Sequence, residues 1–389
     1  TQTARNLLTA DLKSQTDALA GDNASETSED ELRTRYNGDT DGLTILTASR
    51  VGSPAQNAYN GTTLQSAVSG NNLIGSAALE QGVDSPNSGA ATADELIRFY
   101  LGEVASKSSG DALGSFDVYT TDNQVNMSQL VNKLLLGALE YRQGAEALSD
   151  LNGTSDSDQE RLQTAAEHFG APDDFESFLD YAEGNEGLAT TSADVNNDGQ
   201  VDFNTEFVHT WAAYAAERSA FAENNGNGRP NDFARRFVDS LEVVRTAIEN
   251  DDASVDVDTK ASKALDAWEE VVAVNVLHYV NSMVSDLGGL NAGDKVVADS
   301  LSTETIKEFN EHWGEAKPFA WTLQFNPDKQ ITDSQLQTLH NRLALGDSPP
   351  YDGNRSATVT KQDVVESVEQ IRSDLVGIYG FDSTNAANW

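Results

Sequence analysis

Apolar residues recur at helical spacing along most of this chain, and residues 126–151 give the clearest case. Their apolar positions fall at i, i+4, i+5 and i+9, the pattern of a buried amphipathic helix: Leu130, Leu134, Leu135, Ala138 and Leu139. Convincing alternation of apolar and polar residues, which would indicate half-buried strands, is absent from the sequence. The pattern therefore predicts an all-α protein built from helical bundles.

The same periodicity predicts helices over the following ranges: 1–20, 29–36, 74–81, 93–106, 126–151, 156–168, 174–183, 205–223, 230–250, 260–286, 302–313, 332–344 and 360–378. Clusters of Asn, Asp and Gly separate these segments and act as breakers. Residues 21–90 are rich in such residues, which predicts a long, irregular N-terminal excursion with short helices. Residues 319–325 fit an extended or a helical conformation equally well.

The charge balance narrows the choice of partners. The 389 residues include 63 acidic and 25 basic ones, for a formal net charge of −38. This charge repels nucleic acid and anionic lipid surfaces, so no nucleic-acid partner is expected. Acid spread along the chain, with only ten lysines, indicates adaptation to high salt, as in a marine or halophilic organism, because salt screens the self-repelling surface. The alternative is an ordinary acidic secreted protein.

Cysteine is absent, which excludes disulfides and thiolate metal sites. No apolar run approaches the ~20 residues that a transmembrane helix needs. The sequence begins with TQTARNLLTADL and lacks an initial Met. We expect a processed or truncated N-terminus.

The segment DVNNDGQVDFNTEF, residues 194–207, resembles an EF-hand calcium loop. Such a loop takes oxygen ligands from positions 1, 3, 5, 7, 9 and 12. Position 12 is Thr205 rather than glutamate, and Glu206 would have to swing toward the ion from the start of the following helix. The predicted calcium ligands are Asp194, Asn196, Asp198, the Gln200 carbonyl, Asp202 and Glu206. The alternative is an Asx-rich turn with a helix N-cap, which needs no ion.

A transition-metal site is the other candidate. His312 and Glu315 are three residues apart and share a helix face, so they are candidate ligands for iron or zinc, with His278 as a further one. The alternatives are a surface helix end for the first two and a hydrogen-bonded core residue for His278. Motifs for nucleophilic catalysis or phosphate binding are not found.

Several segments together resemble a family of secreted or lipid-anchored helical bacterial proteins, known as a domain of unknown function and distantly similar to imelysin-like proteins. The segments that carry the resemblance are 1–13, 129–143, 194–219, 274–283, 312–339 and 379–382. Two positions depart from the family pattern: residues 164–175 keep only His168, Phe169 and Gly170 of a longer motif, and Phe325 replaces a tyrosine. The imelysin G-x-H-x-x-E signature is also absent, so the resemblance does not carry peptidase activity.

The resemblance implies a single helical unit over 1–389, with possible sub-bundles at 1–190 and 191–389. It also implies export to the periplasm or cell exterior. We therefore expect a non-enzymatic exported protein with a structural calcium ion that binds a small ligand or a protein partner, in iron or metal acquisition. Two alternatives remain open: a self-assembling surface or filament protein, and a metal-dependent hydrolase.

Overall fold

The computed structural model describes residues 2–38, 62–68, 70–75, 91–121, 125–171, 208, 210–224, 232–296, 302–344 and 359–389. Its α-helices are α1 Gln2–Ala18, α2 Glu29–Asn37, α3 Ala93–Ser108, α4 Met127–Leu135, α5 Arg142–Ser149, α6 Asp156–Phe169, α7 Thr210–Asn224, α8 Phe233–Glu249, α9 Val257–Asp286, α10 Thr303–Thr322, α11 Asp333–Leu343, α12 Lys361–Tyr379 and α13 Ser383–Asn388. A π-helical segment, Leu136–Tyr141, joins α4 to α5 without a break. Short 3-10 turns lie at Gln65–Ala67, Phe116–Tyr119, Leu287–Gly289 and Leu323–Phe325.

Within the described ranges, β-bridge pairing is limited to three isolated bridges, and no strand forms. The predicted all-α class and packed helical bundles are confirmed.

Local sequence signals define many helix ends. Four helices begin with a capping box, in which a Ser or Thr side chain and the residue three positions on satisfy each other's backbone N–H groups. The pairs are Thr92 with Glu95, Ser155 with Asp158, Thr332 with Gln335 and Thr360 with Asp363. Three helices end at a glycine in the left-handed conformation, which glycine adopts without steric cost: Gly38, Gly170 and Gly380.

The 30-residue helix α9 is the centre of the fold. It contacts α5, α7, α8, α10, α12 and α13, while α10 packs in turn on α4 and α11. On the other side, α1 lies against α2, α4 and α6. One continuous hydrophobic core runs from Leu7 to Trp389, so helices from both halves of the sequence share it. The boundary between the predicted sub-bundles, at residues 190 and 191, lies outside the described ranges, and that division stays a prediction.

Two glycines on one face of the α4–α5 unit allow close helix packing. A Cβ at Gly137 would overlap the Thr322 side chain on α10, and a Cβ at Gly144 would overlap the Trp268 ring on α9. In the same π-helical turn, the Leu136 carbonyl accepts a hydrogen bond from Trp211 Nε1 at 3.1 Å. Close approach and π-helical turn together bring α4, α7, α9 and α10 around one point.

The sequence prediction for α10 was too short. We expected this helix to end at residue 313, before Gly314 and Pro318, but it continues to Thr322. Burial explains the extension, because Phe319 and Trp321 have no exposed surface and anchor the last turns in the core. The Thr322 hydroxyl also donates to the Pro318 carbonyl at 2.9 Å. Residues 319–325, which fitted either conformation, are therefore helical.

Other differences are small. Helix α13, Ser383–Asn388, was not predicted. The predicted helix at 174–183 falls outside the described residues, as does most of the one at 74–81; the described residues 70–75 are irregular.

We predict that Gly137→Ala destabilises the protein by about 1–3 kcal/mol, because the added methyl group forces the π-helical segment away from Thr322. The measurement is the free energy of unfolding in denaturant. Gly377→Ala on α12 is the matched control, since nothing lies within 4 Å of a Cβ at that helical position. That control should gain about 0.5–1 kcal/mol from helix propensity. Equal effects of the two substitutions would contradict the close-packing account.

Candidate ligand-binding pocket

A pocket of about 460 Å³ opens where α1, α4, the π-helical turn, α7 and α9 meet. This volume lies within the range of small-molecule sites. The walls combine apolar surface from Ala10, Leu136 and Ala213 with several polar side chains. The polar groups come from helices far apart in sequence.

Lys133 forms the charged floor of the pocket. It lies in α4 between Asn132 and Leu134, and its side chain is only 7% exposed. The ammonium donates to the Tyr214 hydroxyl oxygen at 2.5 Å and lies 3.1 Å from Glu315 Oε1. It also lies 5.2 Å from the ring centre of Tyr214 and 6.0 Å from that of Tyr279. A desolvated ammonium held by a carboxylate and aromatic faces is a stable arrangement, because each contact replaces lost hydration.

The surroundings keep Lys133 protonated. Burial alone lowers the pKa of its ammonium, but the Tyr214 and Tyr279 oxygens and the Glu315 carboxylate raise it by more. The resulting pKa lies well above the usual value for lysine. At neutral pH the pocket therefore presents a cation and not a free amine.

Phe319 of α10 holds the two tyrosines in place. Its ring is stacked on that of Tyr279 at 5.6 Å and meets the ring of Tyr214 edge-on at 5.4 Å. The same ring contacts Trp211 at 5.5 Å. Since Phe319 lies beyond Pro318, the unexpected extension of α10 is what supports this side of the pocket.

Helix α1 also lines the pocket and contributes two unsatisfied polar atoms. Asn6 is 4% exposed and Thr9 is 2% exposed. Among the described residues, Asn6 Oδ1 and Thr9 Oγ1 have no hydrogen-bond partner, although Asn6 Nδ2 donates to the Glu167 carbonyl. Leaving a buried polar atom without a partner costs about 1–3 kcal/mol. Both residues line the pocket, so these two atoms are the unsatisfied polar groups nearest to it among the described residues.

The rim carries further charge and a strained residue. Lys13 and Glu217 line the pocket; Lys13 pairs with Asp17, and Glu217 lies 3.3 Å from Arg218. Thr210, the first residue of α7, has a φ of +47°. A β-branched residue with positive φ is strained, and such strain concentrates at functional sites.

The predicted transition-metal residues are engaged elsewhere. His312 Nδ1 lies 2.7 Å from Asp286 Oδ2, and Glu315 is the partner of Lys133. Burial opposes protonation of His312, but Asp286 outweighs it and raises the pKa of the imidazole. His278 lies on α9 beside Tyr279, and burial lowers the pKa of its ring to about 3.

In the described part of the chain, no three His, Asp or Glu side chains gather in a way that would hold a metal. The assignment of iron or zinc to His278, His312 and Glu315 stays a prediction. The predicted calcium ligands from Asp194 to Glu206 lie outside the described residues.

Two further buried polar clusters lie in the interior. Glu140 Oε2 and His168 Nδ1 are 2.5 Å apart and fully buried. Lys317 donates to the Gly75 carbonyl and to His340 Nδ1, both at 2.9 Å. The first cluster joins the π-helical turn to α6, and the second fastens residues 70–75 to α10. We assign both a structural role.

Comparison with protein-family models, with curated proteins and with solved structures finds no match to this chain. The pocket therefore has to be interpreted from its own chemistry.

Sequence reasoning missed the pocket residues. The one available signal of the pocket was Lys133, which interrupts an apolar helix in the segment NKLLL. A lysine on a buried helix face needs a partner for its charge. Its partners Tyr214 and Glu315 lie 81 and 182 positions away, and nothing local in the sequence connects them. Asn6 and Thr9 occupy ordinary positions in a leucine-rich helix, where a polar residue raises no suspicion.

We predict that Lys133→Met lowers the free energy of unfolding by about 3–5 kcal/mol, because it leaves Glu315 buried without a counter-charge. The double variant Lys133→Met/Glu315→Leu should recover most of this loss, since two apolar side chains can fill the same space. Denaturant unfolding of the single and double variants measures the coupling between the two residues.

The matched control is Lys329→Met, which removes a pair with the exposed Asp333 and should cost about 0–1 kcal/mol. A loss below about 1 kcal/mol in Lys133→Met would contradict the buried pair, as would a double variant that is no more stable than the single one.

No helix in the described ranges combines the length and the apolar character required to cross a membrane.

Proposed function

We propose that this protein is a non-enzymatic helical binding protein that holds a small molecule in the pocket above Lys133. The observation that carries this proposal is the pair of buried, unpartnered atoms Asn6 Oδ1 and Thr9 Oγ1, which belong to residues that line the same pocket as the buried ammonium of Lys133. Polar groups that converge on a cavity of this size are the usual mark of a ligand site.

The chemistry of the pocket favours holding a ligand over reacting with it. Nucleophilic or general-base catalysis by a lysine requires an unprotonated amine near neutral pH. The pKa of Lys133 is shifted in the opposite direction. Burial also raises the pKa of Tyr279 well above its usual value, so its hydroxyl stays neutral. These groups supply fixed hydrogen bonds and charge.

For the biological setting, we propose an exported protein of the periplasm or cell exterior, in which the pocket captures a ligand for uptake, with iron or metal acquisition as the working role. The resemblance to imelysin-like exported proteins and the net charge of −38 support this setting. We further propose that the loop Asp194–Glu206 holds a structural calcium ion, supported by its alternating Asp and Asn ligands.

The pocket proposal predicts that small polar compounds bind wild-type protein and fail to bind Ala10→Trp. Ala10 is exposed and lies at the pocket mouth, so the indole should block the cavity without disturbing the core. The measurement is saturation-transfer NMR with carboxylates, amides, amines and sugars. Ala18→Trp, an exposed position on the same helix that does not line the pocket, is the control and should bind like wild type. Unchanged binding in Ala10→Trp would overturn the proposal.

The calcium proposal predicts about one calcium ion per chain in purified protein and a melting temperature that falls with chelator. Replacing both Asp194 and Asp198 by alanine should abolish both effects. Elemental mass spectrometry with thermal melts measures them. Stoichiometric iron or zinc that is lost in His312→Ala would instead support the transition-metal site. Protein without calcium, and with a melt insensitive to chelator, would refute the loop assignment.

A further inference from the structure

The hydrogen-bonding capacity left over at Lys133 and Tyr214 defines what the pocket would recognise. An ammonium has three N–H donors. Tyr214 Oη and Glu315 Oε1 take two of them, and the third remains for a ligand. Because Tyr214 Oη accepts from Lys133, its own hydrogen has to be donated elsewhere, and no described residue accepts it. Two donors 2.5 Å apart match the two oxygens of one carboxylate.

The α1 residues that line the pocket, Asn6 and Thr9, require a different functional group on the ligand. Asn6 Oδ1 is a pure acceptor, and Thr9 Oγ1 both accepts and donates. Neither has a partner among the described residues. A ligand that satisfies Asn6 must therefore bring an N–H or O–H donor. The ligand carries this donor in addition to the carboxylate, since both sets of residues line one pocket.

Charge limits the ligand further. Lys13 and Lys133 line the pocket together with Glu217, so two of the ten lysines in the chain are gathered at this place. Lys13 is paired with Asp17, Lys133 with Glu315 and Glu217 with Arg218, so the charges at the pocket and their immediate partners balance. The net charge of −38 over the whole protein repels a multiply charged anion. Both conditions favour a ligand of low net charge: one carboxylate balanced by an ammonium on the same molecule, or at most a single carboxylate.

We infer that the pocket binds a small organic acid that carries an amino or hydroxyl donor beside its carboxylate, the chemistry shared by free amino acids and hydroxy acids. The carboxylate lies against Lys133 and Tyr214, the donor group faces Asn6 and Thr9, and an apolar side chain fills the space beside Ala10, Leu136 and Ala213. This inference rests on the proposed function and specifies the ligand class of the same site.

Isothermal titration calorimetry with four related probes tests the inference. L-leucine and 2-hydroxy-4-methylpentanoate carry both groups, 4-methylpentanoate lacks the donor, and L-leucinamide lacks the carboxylate. We expect one or both of the first two to bind roughly tenfold or more tighter than the last two. Preference between L-leucine and the hydroxy acid separates an amino acid site from a hydroxy acid site.

Two conservative variants assign the contacts. Tyr214→Phe removes one donor without changing shape, and should weaken the acids roughly tenfold while leaving L-leucinamide unchanged. Thr9→Val removes an unpartnered hydroxyl and should reduce the advantage of the bifunctional acids over 4-methylpentanoate. Tyr100→Phe on α3, a buried tyrosine outside the pocket, is the matched control and should bind all four probes like wild type.

The outcomes separate this inference from the proposed function. Equal affinity for all four probes overturns the ligand class. Binding of amines or sugars, without binding of these acids, also overturns it. In either case the proposed binding pocket is still supported if Ala10→Trp blocks the observed binding. Absence of binding by every compound class, with no difference between wild type and Ala10→Trp, overturns both.

Discussion

The buried ion pair between Lys133 and Glu315 is the constraint on which the centre of this structure depends. It joins α4 to α10 across the core, and the Tyr214 hydroxyl adds α7 to the same point. Removing one partner of a charge pair this deeply buried strongly destabilises the folded protein. The helices that carry the two partners therefore have to approach one another in one register. The pocket is the space left beside the pair, where α1 closes over polar atoms that the core does not satisfy.

Packing elsewhere in the core supports the Lys133–Glu315 pair and the pocket beside it. Gly137 lets the π-helical turn approach Thr322, and the Leu136 carbonyl in that turn accepts a hydrogen bond from Trp211. Trp211 then packs against Phe319, whose ring also supports Tyr214 and Tyr279. Each of these contacts joins helices from distant parts of the sequence. The pocket walls are therefore set by core packing, which suits a site that has to be preformed.

Periodicity and clusters of helix breakers were sufficient to predict the all-α class and most helix positions, because both depend on neighbouring residues. The extension of α10 past Gly314 and Pro318 was not predictable locally, since burial of Phe319 and Trp321 outweighs two helix breakers. The residues of the pocket were even harder to predict from the sequence. His312 and Glu315 share a helix face as expected, yet their partners, Asp286 and Lys133, come from other helices. Spacing within one helix reveals which side chains are neighbours, but not which distant charge each of them will meet.

Lysine side-chain NMR tests the central claim most directly, because the chain contains only ten lysines. The Lys133 signal can be assigned by its absence from Lys133→Met/Glu315→Leu, and followed through a pH titration of the intact protein. We predict that Lys133 stays an ammonium beyond the pH at which exposed lysines titrate, whereas Lys317, whose pKa burial lowers to about 7, loses its proton first. Loss of the Lys133 proton at or below the pH of the exposed lysines would contradict the account, because the pocket would then lack its fixed cation.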